Sequence, residues 1–254
     1  PGVSQFTFNK IMKLLKSKYT SHSTKSSFDL SFPGGIRVSH LVSQNESFTE
    51  FMKSFVKKYR NNTLISSNNI EIIKKDKRGN FEKVYRHVPN HEYDLRLQVA
   101  REQKYSRFNL PRDTKQNKDA IRNSITHVRH KVRTSFFIQY YGDEHIHAQI
   151  DMTIVKQGKI NEMESGGKTT YEIEIENYNK RPEEIQGYVT NENYQNYMNK
   201  LQQFEENPTN AMFDALKLVW KALPIKEVKT SDNTLLPNNF NKIKVNWSKN
   251  AVFG

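Results

Sequence analysis

Three glutamates, Glu172, Glu174 and Glu176, alternate with Tyr171, Ile173 and Ile175 in the run Thr170-Tyr-Glu-Ile-Glu-Ile-Glu. In an extended chain residues two apart share one face, roughly 6.6–7 Å from each other, so the three carboxylates form a row. Such a row repels itself and is a poor strand former, although an open face in salt water tolerates it. A second run, Val128-Arg-His-Lys-Val-Arg-Thr-Ser-Phe-Phe, puts Arg129, Lys131, Arg133 and Ser135 on one face and Val132, Thr134 and Phe136 on the other. Asp151 and Thr153 are set between Ile150, Met152 and Ile154, and Arg96 sits between Leu95 and Leu97. Carboxylates of this kind hold a hard divalent cation, Mg²⁺ or Mn²⁺, and guanidinium and ammonium groups hold phosphate oxygens. The same pattern also describes a solvated sheet face laced with cross-strand salt bridges, each worth about 0–1 kcal/mol.

Which elements position these runs follows from the periodicity. Strand patterns occur at Asn69–Lys75, Phe81–Arg86, Tyr93–Val99, Val128–Phe137, His147–Val155 and Thr170–Glu176. The turn signal Asp76-Lys-Arg-Gly-Asn80 predicts that the first two pair as a hairpin. Polar segments, notably Arg101–Asn123 and Gln157–Lys168, separate the later strands. Helical spacing recurs at Phe8, Ile11, Met12, Leu15 and Tyr19 after Ser4, and at Phe48, Phe51, Met52, Phe55, Val56 and Tyr59 after a capping box of Ser47 and Glu50. Near the C-terminus Tyr194, Tyr197, Met198 and Leu201 form one stripe. Beyond Pro208, Met212, Phe213, Leu216, Val219, Trp220 and Leu223 form another. Strands in succession with few helices between them indicate an α+β protein built on an antiparallel sheet or barrel. Closure into a barrel would turn the charged face into a lumen and leave the amphipathic helices outside.

Composition narrows the classes further. The chain has 254 residues, 40 Lys+Arg against 27 Asp+Glu, a net charge of +13 and no cysteine. Without cysteine there is no disulfide framework, thiolate zinc site, iron–sulfur cluster or thiol nucleophile. No apolar run approaches the ~20 residues of a membrane span, so no membrane partner is expected. The basic excess favours a polyanionic partner, or else simply a soluble surface. The sequence contains no Gly-x-x-x-x-Gly-Lys-Ser/Thr, Gly-x-Gly-x-x-Gly, Gly-x-Ser-x-Gly or Lys-x-Asp-Gly motif. His87, His91, His145 and His147 read as surface or packing residues, since an oxygen-lined phosphate site needs no imidazole. Lys57, Lys58 and Arg60 read as the solvated end of a helix.

Taken in order, four of the strands carry a resemblance. Thr170-Tyr-Glu-Ile-Glu-Ile-Glu resembles the acidic metal-binding strand of the metal-dependent RNA 5′-triphosphatases of fungi and large DNA viruses, within the triphosphate tunnel metalloenzymes. Arg129-His-Lys-Val-Arg-Thr-Ser-Phe is similar to their basic strand, Gln149-Ile-Asp-Met-Thr-Ile-Val to their Asp-x-Thr strand, and Tyr93-Asp-Leu-Arg-Leu to an earlier strand with one phosphate-binding cation. Order and approximate spacing agree over about residues 90–180, and Ile154-Val-Lys-Gln157 leans toward viral capping enzymes. The resemblance implies an antiparallel β-barrel tunnel of about eight strands with amphipathic helices packed outside, over residues 1–224. Residues 225–254 would be a linker or docking tail. It implies hydrolysis of the γ-phosphate of 5′-triphosphate RNA, the first step of mRNA cap formation, with Mg²⁺ or Mn²⁺ as cofactor.

Carried over, Glu174 and Glu176 bind the metal or orient water, and Glu172 pairs with a cation or supports the site. Arg96, Arg129, Lys131 and Arg133 grip phosphate oxygens, and Asp151 braces the basic wall. Guanylyltransferase and methyltransferase modules of a capping enzyme are implied partners, and the cytoplasm, or a viral factory or virion, the implied location. One feature departs from the family. Its first strand carries a second Glu-x-Glu pair, whereas Ser27-Phe-Asp29-Leu-Ser31-Phe and Ile36-Arg-Val-Ser39 offer only Asp29 as a metal ligand. Two other readings therefore stand beside the first: a tunnel-fold RNA-binding or assembly subunit without metal chemistry, and a tunnel phosphatase acting on nucleotide triphosphate or polyphosphate.

Overall fold

The computed structural model describes residues 2–59, 63–76, 83–86, 93, 95–98, 101–110, 119–139, 146–177 and 210–224. In chain order its helices are α1 (Gln5–Lys18), α2 (Phe48–Lys58), α3 (Ala120–Ser124), α4 (Ile160–Glu164) and α5 (210–222). The strands are β1 (His22–Phe32), β2 (Ile36–Val42), β3 (Thr63–Ile65), β4 (Ile70–Asp76), β5 (Lys83–Arg86), β6 (Leu95–Gln98), β7 (Arg101–Tyr105), β8 (Arg107–Asn109), β9 (His127–Gln139), β10 (Ile146–Gly158) and β11 (Lys168–Asn177). No described helix is long and apolar enough to cross a membrane.

The central element is a seven-stranded sheet in the order β11-β10-β9-β1-β2-β4-β7, antiparallel at every step. Two short ribbons, β3–β8 and β5–β6, accompany it. Tight turns fix the register at two joints. Gly34 and Gly35 (φ 78° and 77°) lead β1 into β2, and Gly166 and Gly167 (φ 110° and 65°) lead α4 into β11. These are left-handed conformations that any residue with a Cβ adopts only under strain.

Alternation gives the sheet one polar and one apolar face, and the helices cover the apolar one. Phe28, Leu30, Phe32, Val38, Ile70 and Ile72 bury against Phe48, Phe51, Met52 and Phe55 of α2. Phe136, Ile138, Ala148, Ile150 and Met152 bury against Phe8, Ile11 and Leu15 of α1 and Ala211, Ala215, Val219 and Ala222 of α5. Ser4 caps α1 by accepting from the Thr7 amide, and Ser47 and Glu50 close the reciprocal box on α2. Phe213 departs from its stripe and stands 39% exposed, because the small residues Ala211, Ala215 and Ala222 form the close contact surface of α5.

His40 on β2 is enclosed by the edges of Phe51, Phe55 and Tyr59 at 5.5, 5.5 and 5.7 Å, with no hydrogen-bond partner at Nε2. Burial, reinforced by the Lys58 charge, pushes its imidazole from 6.5 down to about 4. The unfolded chain therefore binds this proton more tightly than the native one. The stabilisation is complete above pH 6.5 and is lost as pH falls toward 4, by up to about 3 kcal/mol. Denaturant unfolding of the parent and of His40→Phe at pH 7 and pH 4.5 checks this. The parent is expected to lose more than the variant; equal losses would exclude His40 as the source.

Three expectations change in the structure. The hairpin expected between 69–75 and 81–86 is not formed: β4 pairs with β2 and β7, and β5 with β6. Burial of Ile70 and Ile72 beside Val38 overrides the local turn signal. The polar stretch Arg101–Asn123 contains β7, β8 and the start of α3, and Gln157–Lys168 contains α4. The stripe Tyr194–Leu201, His87, His91 and His145, Arg60, all of 178–209 and the tail 225–254 lie outside the described residues, and of His147 only the backbone, in β10, is described.

Candidate active site

Cross-strand register assembles the polar face. On β11 Glu176, Glu174 and Glu172 stand opposite Gln149, Asp151 and Thr153 of β10. The latter two stand opposite Ser135 and Arg133 of β9. Arg133, Lys131 and Arg129 in turn stand opposite Lys25, Ser27 and Asp29 of β1, and Asp29 opposite Ser39 of β2. Directly opposed side chains lie about 4.5–5.5 Å apart at Cβ, so these rows are in contact. Five strands far apart in sequence thus contribute to one continuous charged surface.

Its acidic end is a trio. Ligand oxygens of Asp151, Glu174 and Glu176 lie within 4.8 Å of one another. Asp151 is wholly buried, and accepts from Ser135 Oγ at 2.6 Å and from the Gln149 amide at 3.2 Å. The same amide donates to Glu176 at 3.2 Å, tying two of the three carboxylates together. Arg133 reaches the trio with Nη1 2.9 Å from Asp151 and Nη2 3.4 Å from Glu174. Burial raises the Asp151 carboxyl, and the Glu174 charge raises it further against the pull of Arg133, Ser135 and Gln149. Glu176 is likewise raised, by burial and then by Asp151 and Glu174. On Arg133 burial works against the charge, but the surrounding carboxylates outweigh it and raise its pKa. One guanidinium against three converging carboxylates leaves a net negative pocket.

The basic end is arranged differently for each cation. Arg129 places one Nη at 2.8 Å from both oxygens of Glu172. Around that pair Arg129 Nε, Thr153 Oγ1 and Thr170 Oγ1 are enclosed without a hydrogen-bond partner. Each is a donor able to meet an anionic oxygen. Lys131 is only 8% exposed and lies 2.5 Å from Asp29, which is 2% exposed and also accepts from Ser39 at 2.5 Å. Burial alone would raise the Asp29 carboxyl, yet Lys131, Ser39 and Arg37 together hold it below its usual range. For Lys131, burial and the neighbouring Arg129 and Arg37 lower the ammonium pKa against the support of Asp29.

Placement of the expected site residues follows directly. Asp29, Arg129, Lys131, Arg133, Asp151, Glu172, Glu174 and Glu176 all lie on the polar face. Within it, Asp151 joins Glu174 and Glu176, while Asp29 lies with Lys131 on the far side of β9. Arg96 lies on β6 opposite Tyr85, in a ribbon with no pairing to the main sheet among the described residues. Ser39, Arg37, Ser135 and Gln149 take part without having been expected as site residues. Only the alternation of β1, β2, β9 and β10 could have indicated them, and it does not reveal register. The donor set of the trio suits a hard divalent ion: three carboxylates, no nitrogen or sulfur, and carboxyl pKa values raised at Asp151 and Glu176 that a cation would relieve.

No family model and no curated protein matches the chain. Among solved structures, the S. pombe Pct1 RNA triphosphatase is 15% identical with a TM-score of 0.51, over 85% of this chain and 69% of that one. The mimivirus capping enzyme triphosphatase is 17% identical with a TM-score of 0.49, over 86% of each. The likeness to Pct1 is one of fold: this chain, an antiparallel sheet whose described helices pack on its apolar face, has the fold of the tunnel RNA triphosphatases.

Proposed function

We propose that the chain is a divalent-metal-dependent RNA 5′-triphosphatase that hydrolyses the γ-phosphate of 5′-triphosphate RNA, the first step of cap formation. The observation that carries this reading is the juxtaposition, on one sheet face, of the Asp151–Glu174–Glu176 trio with Arg133 and with unsatisfied donors around Arg129. Asp151, Glu174 and Glu176 would hold Mg²⁺ or Mn²⁺. When bound, the ion neutralises phosphate charge in the transition state. Arg133 and Arg129 bind phosphoryl oxygens, with Glu172 holding the Arg129 guanidinium in place. Glu174 gives one oxygen to Arg133 and turns the other toward an attacking water. Phosphoryl transfer needs little beyond such positioning and charge stabilisation.

Residues 1–224 form this unit in our reading, with 225–254 leading toward guanylyltransferase and methyltransferase modules in a cytoplasmic or viral capping enzyme. A second reading, an RNA-binding tunnel without turnover, is favoured by one observation. The acidic residue on β1, Asp29, is taken by Lys131 and Ser39 and stands apart from the trio. Phosphate release from triphosphate-ended RNA, with and without Mg²⁺ or Mn²⁺, separates the two. Metal-dependent release is expected; RNA binding without release under any metal would favour the second reading. Parallel rates on ATP and tripolyphosphate assign the substrate.

A further inference from the structure

The outer face of α1 is unlike the other described helix surfaces. This helix carries Lys10, Lys13, Lys16 and Lys18 and no acidic residue. Its inner stripe, Phe8, Ile11 and Leu15, is buried against the sheet. At 100° per residue, Phe6, Lys10, Lys13 and Ser17 share the opposite stripe, and all four are exposed. Phe6 is 79% exposed, although Phe8, two residues on, is 1% exposed. Among the described residues Lys10, Lys13 and Lys16 make no ion pair, whereas Arg129, Lys131 and Arg133 of the sheet face are each matched to a carboxylate.

We propose that this face of α1 binds the single-stranded RNA that follows the 5′ end, with a base stacked on Phe6 and phosphates on Lys10 and Lys13. The inference rests on the function proposed above for the identity of the polyanion. A helical protein partner would require apolar residues at i+3, i+4 and i+7 from Phe6; asparagine and lysines stand there instead. An aromatic ring among unpaired lysines is the combination that holds single strands, through stacking and phosphate neutralisation.

The path is short. Val3 bonds to the backbone of Tyr171 at 2.8 Å, and the Phe8 ring packs 5.1 Å from that of Tyr171. The start of α1 is thereby fixed beside β11, an outer strand of the sheet among the described residues, one residue from Glu172 on the charged face. RNA leaving that face around β11 would reach α1 at its start, where Phe6 precedes Lys10 and Lys13.

The test is fluorescence anisotropy of single-stranded RNA carrying a 5′ hydroxyl, which needs no turnover. Phe6→Ala is expected to weaken binding roughly tenfold, the scale of one lost base stack. The double variant Lys10→Ala/Lys13→Ala is expected to reduce the slope of log affinity against log salt by about 1.4, two phosphates' worth. Both changes are at the surface, and unchanged melting temperatures confirm intact folding. Parent-like affinity and salt slope in both variants would overturn the proposal, and loss in the lysine pair alone would overturn the stacking on Phe6. If the chain turns over, KM for triphosphate RNA rises in both variants while tripolyphosphate hydrolysis is unchanged. If it does not, the anisotropy still decides, so failure of the triphosphatase reading and failure of this one are told apart.

Discussion

Glu174→Ala is expected to lower metal-dependent phosphate release by at least about 10²-fold while leaving the protein folded, a loss typical of removing one group that organises transition-state charge. Both halves of this expectation follow from position. Glu174 is one of three carboxylates whose oxygens converge within 4.8 Å, so alanine removes a third of the donor set and one partner of Arg133. Its side chain is 37% exposed, and its ion pair at 3.4 Å is the looser of the two that Arg133 makes. An ion pair that open to water contributes at most about 1 kcal/mol. Arg133→Ala, by contrast, strips the counter-ion from Asp151, which is wholly buried. That variant loses stability as well as activity and cannot separate the two. Phosphate release and thermal melting on the same Glu174→Ala preparation give the answer. Release near the parental rate would remove the trio from the mechanism.

How much of this was legible in the sequence depends on the range of the physics involved. Alternation is local, and it placed Glu172, Glu174 and Glu176 on one face and Arg129, Lys131 and Arg133 on another with no knowledge of pairing. Register is not local. That Asp151 faces Glu174 while Asp29 faces Arg129 is decided by where the Gly166–Gly167 and Gly34–Gly35 turns end their strands, and by which apolar rows α1 and α2 cover. The same limit explains the mispaired hairpin. Asp76–Asn80 is a good turn by composition, but β4 gains more by burying Ile70 and Ile72 between β2 and α2. Strands β7 and β8 were missed because Arg101–Asn109 is mostly polar, which suits strands that, among the described residues, have a neighbour on one side only. Phe6 was passed over because it lies two residues from Phe8, so the pair gives no helical stripe.

Asp29→Ala is expected to cost stability before it costs chemistry. Alanine leaves the Lys131 ammonium buried, with Arg129 and Arg37 as its charged neighbours and its 2.5 Å partner gone. Orphaning one member of a buried pair typically costs 3–5 kcal/mol, or about 10 °C of melting temperature in a chain of this size. The double variant Asp29→Ala/Lys131→Met removes both charges and is expected to regain most of the loss, because the penalty lies in the unpaired ammonium rather than in the missing bond. The sign of the pH dependence agrees. The Asp29 carboxyl is held below its ordinary value, so its contribution is present above the usual carboxylate range and is lost as pH falls through the lowered pKa. A metal-ligand role predicts something else: Asp29→Ala would lose metal affinity with little change in the melting of the metal-free protein, and Lys131→Met would rescue nothing. Melting curves of the single and double variants, with and without Mn²⁺, distinguish the two roles. The rescued double variant then serves a second purpose. If it is stable but releases no phosphate, Lys131 acts on substrate as well as on Asp29; if it releases phosphate normally, the Asp29–Lys131 pair is structural and the chemistry belongs to β9–β11.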